Sequence, residues 1–157
     1  MSATAASVIL RPYRPADHDA CAAIYAAGRR FAFTWCDPAQ FVPEDFARDS
    51  RGETITVAEE QGRVVGLLSL WMPDHFIHLL FVDPALHGRG IGRRLLRHAE
   101  ATFGDWSWLK CQAQNTGALA FYEQCGWTVG EGGMNDIGPW VAVSWHAPRS
   151  RFPSGRL

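Results

Sequence analysis

The chain has 157 residues, 47% apolar and 12% aromatic, which suffices for one globular domain with a real core. Its 15 basic and 16 acidic residues leave a formal charge of -1, a balance that argues against nucleic acid or an anionic membrane as the main partner. Four cysteines without a C-x-x-C pair, no apolar run long enough to cross a bilayer and no signal-peptide pattern point to a reducing cytoplasm.

After a small-residue leader (MSATAAS), VILRPY reads as a strand and PADHDACAAIYAAG as a helix. Pro15 lies near the start of that helix, Cys21, Ile24 and Tyr25 share a face, and Gly28 is the expected stop. RRFAFTWCDP follows as an aromatic loop, and Asp37 with Pro38 is expected to open a second, short helix to about Phe46. ETITVAEE, GRVVGLLSLW and FIHLLFV read as strands, the first two joined by a hairpin at Gln61-Gly62. A glycine-rich turn, HGRGIG, then runs into a helix with Ile91, Leu95, Ala99 and Phe103 on one face and Arg93, Arg94, Arg97 and Glu100 elsewhere. WSWLKC is a strand, TGALAFYEQCG a helix ending at Gly126, and WTVGE and WVAVSWH a final strand pair. This order describes an α/β domain over residues 1–146, with a mixed sheet of about seven strands and four helices. Residues 147–157 have no apolar period and are expected to be disordered, while Cys111 and Cys125 are expected in the core rather than as nucleophiles.

Gly88, Gly90 and Gly92 give G-x-G-x-G, which meets neither the dinucleotide fingerprint nor the P-loop pattern. A strand, a short turn and a helix N-terminus nevertheless suit an anion, with Arg89 and Arg93 adding charge at the edge; a tight turn with a solvated arginine face is the alternative. The neighbouring motifs decide between them. VDPALHGRGIGRRLL, Val82 to Leu96, resembles the acetyl-CoA motif of the GCN5-related N-acetyltransferase superfamily, and NTGALAFYEQCGW, Asn115 to Trp127, resembles that superfamily's second signature. His87 departs from the usual Gln or Arg and Trp127 from the usual Phe.

The resemblance spans about Val8 to His146 and implies a fold, a ligand and a reaction. The FIHLLFV strand should carry a β-bulge and splay from WSWLKC, forming a slot for acetyl-CoA. Leu80, Phe81 and Val82 would run beside its pantetheine arm, and His87, Gly88, Arg89, Gly90, Ile91, Gly92 and Arg93 would hold its pyrophosphate. Asn115 would contact the arm or cap the following helix, a role open to Thr116 as well. Tyr122 matches the superfamily's general acid, returning a proton to the departing thiolate.

The base is open between His78 and a water chain. His78 stands at a strand position where arylalkylamine acetyltransferases of the superfamily place histidine, and its ordinary pKa suits proton relay; a hydrogen-bonded structural histidine is the alternative. Phe76 occupies the position where some relatives carry a glutamate. Alternation puts Phe76, His78 and Leu80 on one face and His75, Ile77 and Leu79 on the other, which argues against a metal shared by the two histidines. For the acceptor, Phe31, Phe33, Trp35, Trp71, Met72, Met134, Asn135 and Asp136 are the candidate wall residues. These features are expected to serve transfer of acetyl directly to a primary amine of a small molecule through a ternary complex. A protein or peptide acceptor and a non-catalytic acyl-CoA sensor are the rivals, and the exposed aromatic segments are compatible with a homodimer.

Overall fold

Gln61 and Gly62 have φ of 51° and 76°, the paired left-handed conformation that closes a two-residue hairpin between β2 (Thr54–Glu60) and β3 (Arg63–Trp71). In this computed structural model, residues 7–149 are described; most of the leader and the tail from residue 150 onward lie outside them. The other strands are β1 (Ile9–Pro12), β4 (Phe76–Val82), β5 (Trp106–Gln112), β6 (Thr128–Asn135) and β7 (Gly138–His146). The helices are α1 (His18–Ala32), α2 (Asp45–Asp49), α3 (Ile91–Phe103) and α4 (Thr116–Gln124). Among the described residues this makes one seven-stranded sheet of order β1-β2-β3-β4-β5-β7-β6, antiparallel except between β4 and β5, which α3 connects.

Apolar alternation along the strands supplies a core on each face. On one side Cys21, Ile24 and Tyr25 of α1 and Phe46 of α2 pack on Val57, Leu67 and Leu79. On the other, Ile91, Leu95, Leu96 and Ala99 of α3 join Tyr122, Cys125 and Trp127 over Val65, Leu68, Ile77, Leu109 and Cys111. Cys111 and Cys125 are buried free thiols, and burial pushes the Cys111 thiol up to about 11, which keeps it unreactive.

Three local expectations are corrected. Gly28 does not stop α1, which runs to Ala32 with Arg29 and Arg30 in the last turn, where cations suit the helix dipole. A Cβ at Gly28 would come within 2.4 Å of the Phe81 ring, so this glycine is a close-approach site between α1 and β4. Gly28→Ala should therefore destabilise the fold by about 1–3 kcal/mol through displacement of Phe81, despite alanine's better helix propensity; a thermal melt equal to or above wild type would overturn this. Second, Asp37 caps only a 3-10 turn (Pro38–Gln40), and α2 begins after Pro43, a residue that disfavours helical geometry just before it. Third, Glu100 is buried: its carboxylate accepts from Trp127 Nε1 at 3.1 Å and from Arg97 at 2.7 Å, pairing that meets the cost of burying its charge.

Candidate active site

Register between β3 and β4 changes once. Ser69 pairs with Leu79 and Leu70 with Ile77, leaving His78 as an extra residue, a β-bulge. The bulge resets the pleat, so Ile77 enters the α3–α4 core and Leu79 the α1–α2 core, where simple alternation had put them on one face. Parallel pairing of β4 with β5 stops at the same place: only Phe76 with Trp108 and Ile77 with Leu109 are partners. From Leu80 to Val82 the strand pairs with β3 alone, so its backbone groups on the β5 side have no strand partner. The result is the bulged, splayed strand pair that the sequence resemblance implied.

At the end of β4 the Asp83 side chain accepts from Ala85 N–H at 3.0 Å, and the chain passes through Gly88 and Gly90, with φ of 82° and 81°, into α3. Gly90 is the N-cap residue, and the first N–H groups of α3 have no acceptor within the helix. A Cβ at Gly88 would meet no atom within 4 Å, so the turn borders open space. His87 donates from Nε2 to the Val82 carbonyl at 3.1 Å and meets the Phe31 ring edge-on, which places Phe31 at this turn rather than on the expected acceptor wall. Arg89 is spent on Glu60 of β2, with Nη2 to Oε2 at 2.5 Å, whereas exposed Arg93 has no ion pair among the described residues. An open strand edge running into free N–H groups fits an arm that ends in phosphates.

Tyr122 of α4 packs between Phe121 and Trp127, with ring centroids at 5.3 and 6.1 Å, and lies beside Cys111 of β5. Its hydroxyl makes no hydrogen bond to the described residues. Burial, with the neighbouring Cys111 and Cys125 thiols, raises its pKa well above that of a free phenol and keeps the hydroxyl protonated. Asn115, not Thr116, is the N-cap of α4: its Oδ1 accepts from Ala118 N–H at 3.3 Å.

The bulged His78 is about one-third exposed and bonds through Nδ1 to Glu53 Oε2 at 2.7 Å. Glu53, with a side chain only 6% exposed, also accepts from the buried Ser69 hydroxyl at 2.5 Å. Burial disfavours charge on His78, but Glu53 and then Asp49 outweigh it and raise the imidazole pKa.

Beside this group lies a cavity of about 320 Å³, lined by Tyr25, Arg29, Phe33, Phe41, Arg48, Asp49, Asn135, Asp136 and Ile137. Of the expected wall residues, Phe33, Asn135 and Asp136 line it. Trp35 stands behind Phe33, its centroid 5.4 Å away, and its Nε1 donates to the Ile137 carbonyl at 2.9 Å, clasping the aromatic loop to the β6–β7 turn. Asn135 serves chiefly as the turn's acceptor, taking Ile137 N–H, Gly138 N–H and Gln112 Nε2 on one oxygen. Trp71, Met72 and Met134 are exposed and do not line the cavity.

Residues missed from sequence include Glu53, Asp49, Arg48 and Tyr25. Tyr25 was legible only as a core position, although its hydroxyl donates to Asp49 at 2.7 Å. Glu53 opens a strand with no motif around it, and nothing local signals that it reaches His78.

The family model described as acetyltransferase (GNAT) family matches residues 19–127. The chain is 43% identical over 54 residues to the N-alpha-acetyltransferase RimI of Mycobacterium tuberculosis, covering 34% of each chain. It is 34% identical over 80 residues to the peptidyl-lysine N-acetyltransferase YjaB of Salmonella typhimurium, covering 50% of this chain and 53% of the relative. These alignments thus span a third to a half of the relatives' lengths. In fold it is similar to the PaiA N-acetyltransferase of Thermoplasma acidophilum, solved with coenzyme A, at a TM-score of 0.73 and 14% identity, covering 90% of this chain and 99% of that one. No helix among the described residues is long and apolar enough to cross a membrane. With the bulged strand pair, the glycine turn and both motifs in place, the chain belongs to the acetyltransferase (GNAT) family.

Proposed function

We propose that the chain is a cytoplasmic, acetyl-CoA-dependent N-acetyltransferase that acts on the primary amine of a small molecule through a ternary complex. The observation that carries the reading is the splayed β4–β5 edge leading to the glycine turn, with bulged His78 at the parting and Asp49, which faces His78, lining a cavity beyond it. Acetyl-CoA supplies an acetyl group activated as a thioester. The N–H groups from Gly88 to Gly92 bind its pyrophosphate, and the open backbone of Leu80 to Val82 holds its arm. Because a β-bulge leaves backbone polar groups outside the ladder, an N–H near His78 is available to polarise the thioester carbonyl.

An alkylamine has a pKa of roughly 10 and arrives protonated at neutral pH. His78 takes one proton from it, freeing the lone pair that forms the N–C bond as the C–S bond breaks. Tyr122 gives its proton to the departing sulfur and is reprotonated from solvent, while the second amine proton leaves to water.

The cavity favours a small acceptor. Its volume of about 320 Å³ lies at the lower end of the roughly 300–1,000 Å³ of small-molecule sites, and Tyr25, Phe33 and Phe41 give it aromatic walls, with Asp49 and Asp136 balanced by Arg29 and Arg48 in the same lining. A protein acceptor is the second reading, because the two curated relatives are named for N-alpha and peptidyl-lysine acetylation.

The test begins with the thermal shift given by acetyl-CoA, expected to reach about 2.7 kcal/mol at a hundredfold excess over Kd. It continues with release of the coenzyme A thiol in the presence of 2-phenylethylamine, spermidine, and peptides bearing a free N-terminus or a lysine. Release with the small amines supports the reading. Release with peptides alone moves the acceptor to protein, and binding without any acceptor-dependent release identifies a sensor.

A further inference from the structure

We infer that Glu53 is a positioning residue for acetyl transfer, its carboxylate holding the bulged His78 imidazole by Nδ1 where β4 parts from β5. The inference rests on the proposed transferase reading and deepens it by naming what prepares the base.

Three observations converge on it. His78 is the one residue that the β3–β4 register leaves over, so its backbone is displaced from the ladder at the first residue of β4 without a β5 partner. Bulges re-aim side chains in this way. Second, the carboxylate that receives the ring comes from the residue preceding β2, two strands across the sheet, and both its oxygens are engaged: Oε2 takes His78 Nδ1 at 2.7 Å and Oε1 takes the Ser69 hydroxyl at 2.5 Å. Third, Glu53 has no lysine or arginine partner among the described residues, although its side chain is only 6% exposed. A buried carboxylate paired with an imidazole and a serine adds little stability over a neutral replacement of the same shape. What it does is choose the tautomer: with Nδ1–H donated to Glu53, neutral His78 carries its lone pair on Nε2, the nitrogen that must take the proton.

The ring is faced by Glu53, the residue before β2, and by the carboxylate and backbone carbonyl of Asp49 at the end of α2, while Phe76 stacks on it at 5.8 Å and the Ser69 hydroxyl is held by Glu53. Arg48 and Tyr25 both engage Asp49, and although burial opposes ionisation, they hold its carboxyl below the ordinary range. Asp49 therefore stays negative through neutral pH. The sign follows: a base acts deprotonated, so the rate rises with pH through the His78 pKa, and negative neighbours place that rise above the ordinary histidine value.

The experiment compares wild type with Glu53→Gln, Ser69→Ala and His78→Gln. It reads the His78 imidazole by nitrogen NMR across pH and kcat and KM for 2-phenylethylamine, or for the best-turned-over amine or peptide of the panel. Glu53→Gln keeps the shape and a hydrogen bond, and is expected to move the His78 titration to lower pH, to move the rising limb of the rate with it, and to lower the plateau about tenfold or more, with KM within about twofold. Ser69→Ala should shift the same readouts in the same direction by less, and it serves if Glu53→Gln fails to fold. An unchanged titration and rate limb in a folded Glu53→Gln protein would overturn the inference. Normal turnover and limb in His78→Gln would instead remove His78 as the base, a failure of the underlying reading that the NMR titration of Glu53→Gln tells apart from a failure of the Glu53 contact.

Discussion

Tyr122→Phe is expected to lower turnover about a hundredfold while leaving acetyl-CoA affinity within about twofold of wild type, the signature of a group that acts only as the thiolate leaves. The substitution isolates chemistry because the hydroxyl has no protein hydrogen bond to lose. Phenylalanine keeps the ring contacts with Phe121 and Trp127 and leaves the 9% exposed position packed. Stability should stay about level, since the hydroxyl gives up no protein partner and is not among the polar atoms cut off from solvent. Burial holds the phenol protonated, so no loss of the acid form is expected across the neutral range. Steady-state thiol release, with acetyl-CoA titrated by calorimetry, checks both halves. Equal turnover in the mutant would take Tyr122 out of the mechanism, and a parallel loss of acetyl-CoA binding would make it a binding residue.

The second large effect is expected at the turn. Gly88→Ala should cost the fold only the left-handed strain of about 1–2 kcal/mol, because its Cβ would meet no protein atom within 4 Å. The same Cβ would occupy the open space where phosphate is proposed to bind, so acetyl-CoA affinity should fall about tenfold or more, a cost of roughly 1.4 kcal/mol or more. Gly104→Ala, at the far end of α3, is the matched control. Its φ of 87° carries the same left-handed strain and its Cβ would likewise meet no atom within 4 Å. Affinity within about twofold of wild type is expected there. Calorimetric titration of both variants decides the matter, and wild-type affinity in folded Gly88→Ala would place the anion elsewhere.

Much of the architecture was legible because it rests on short-range signals. The period of apolar residues in Ile91, Leu95 and Ala99, the paired turn residues Gln61 and Gly62, and the glycines before α3 each encode local geometry, and the order of elements they define is the order observed. The errors are equally instructive. Gly28 reads locally as a helix stop and Glu100 only as a residue off the apolar face of its helix. Their roles depend on Phe81 and Trp127, which approach from elsewhere in the fold.

The site divides along the same line. The sequence by itself placed the turn from Gly88 to Gly92 before α3, Asn115 at the start of α4 and Tyr122 within it, since motif spacing fixes where a strand, a loop and each helix start fall along the chain. Only the tertiary structure decided that Arg89 is consumed by Glu60, that Phe31 sits on His87 and not in the acceptor wall, and that the carboxylate absent at Phe76 arrives on Glu53. The physical reason is range: backbone dihedrals and helix termini are set by neighbours in the chain, whereas ion pairs, ring contacts and the resetting of a pleat by one bulged residue depend on which strand lies alongside.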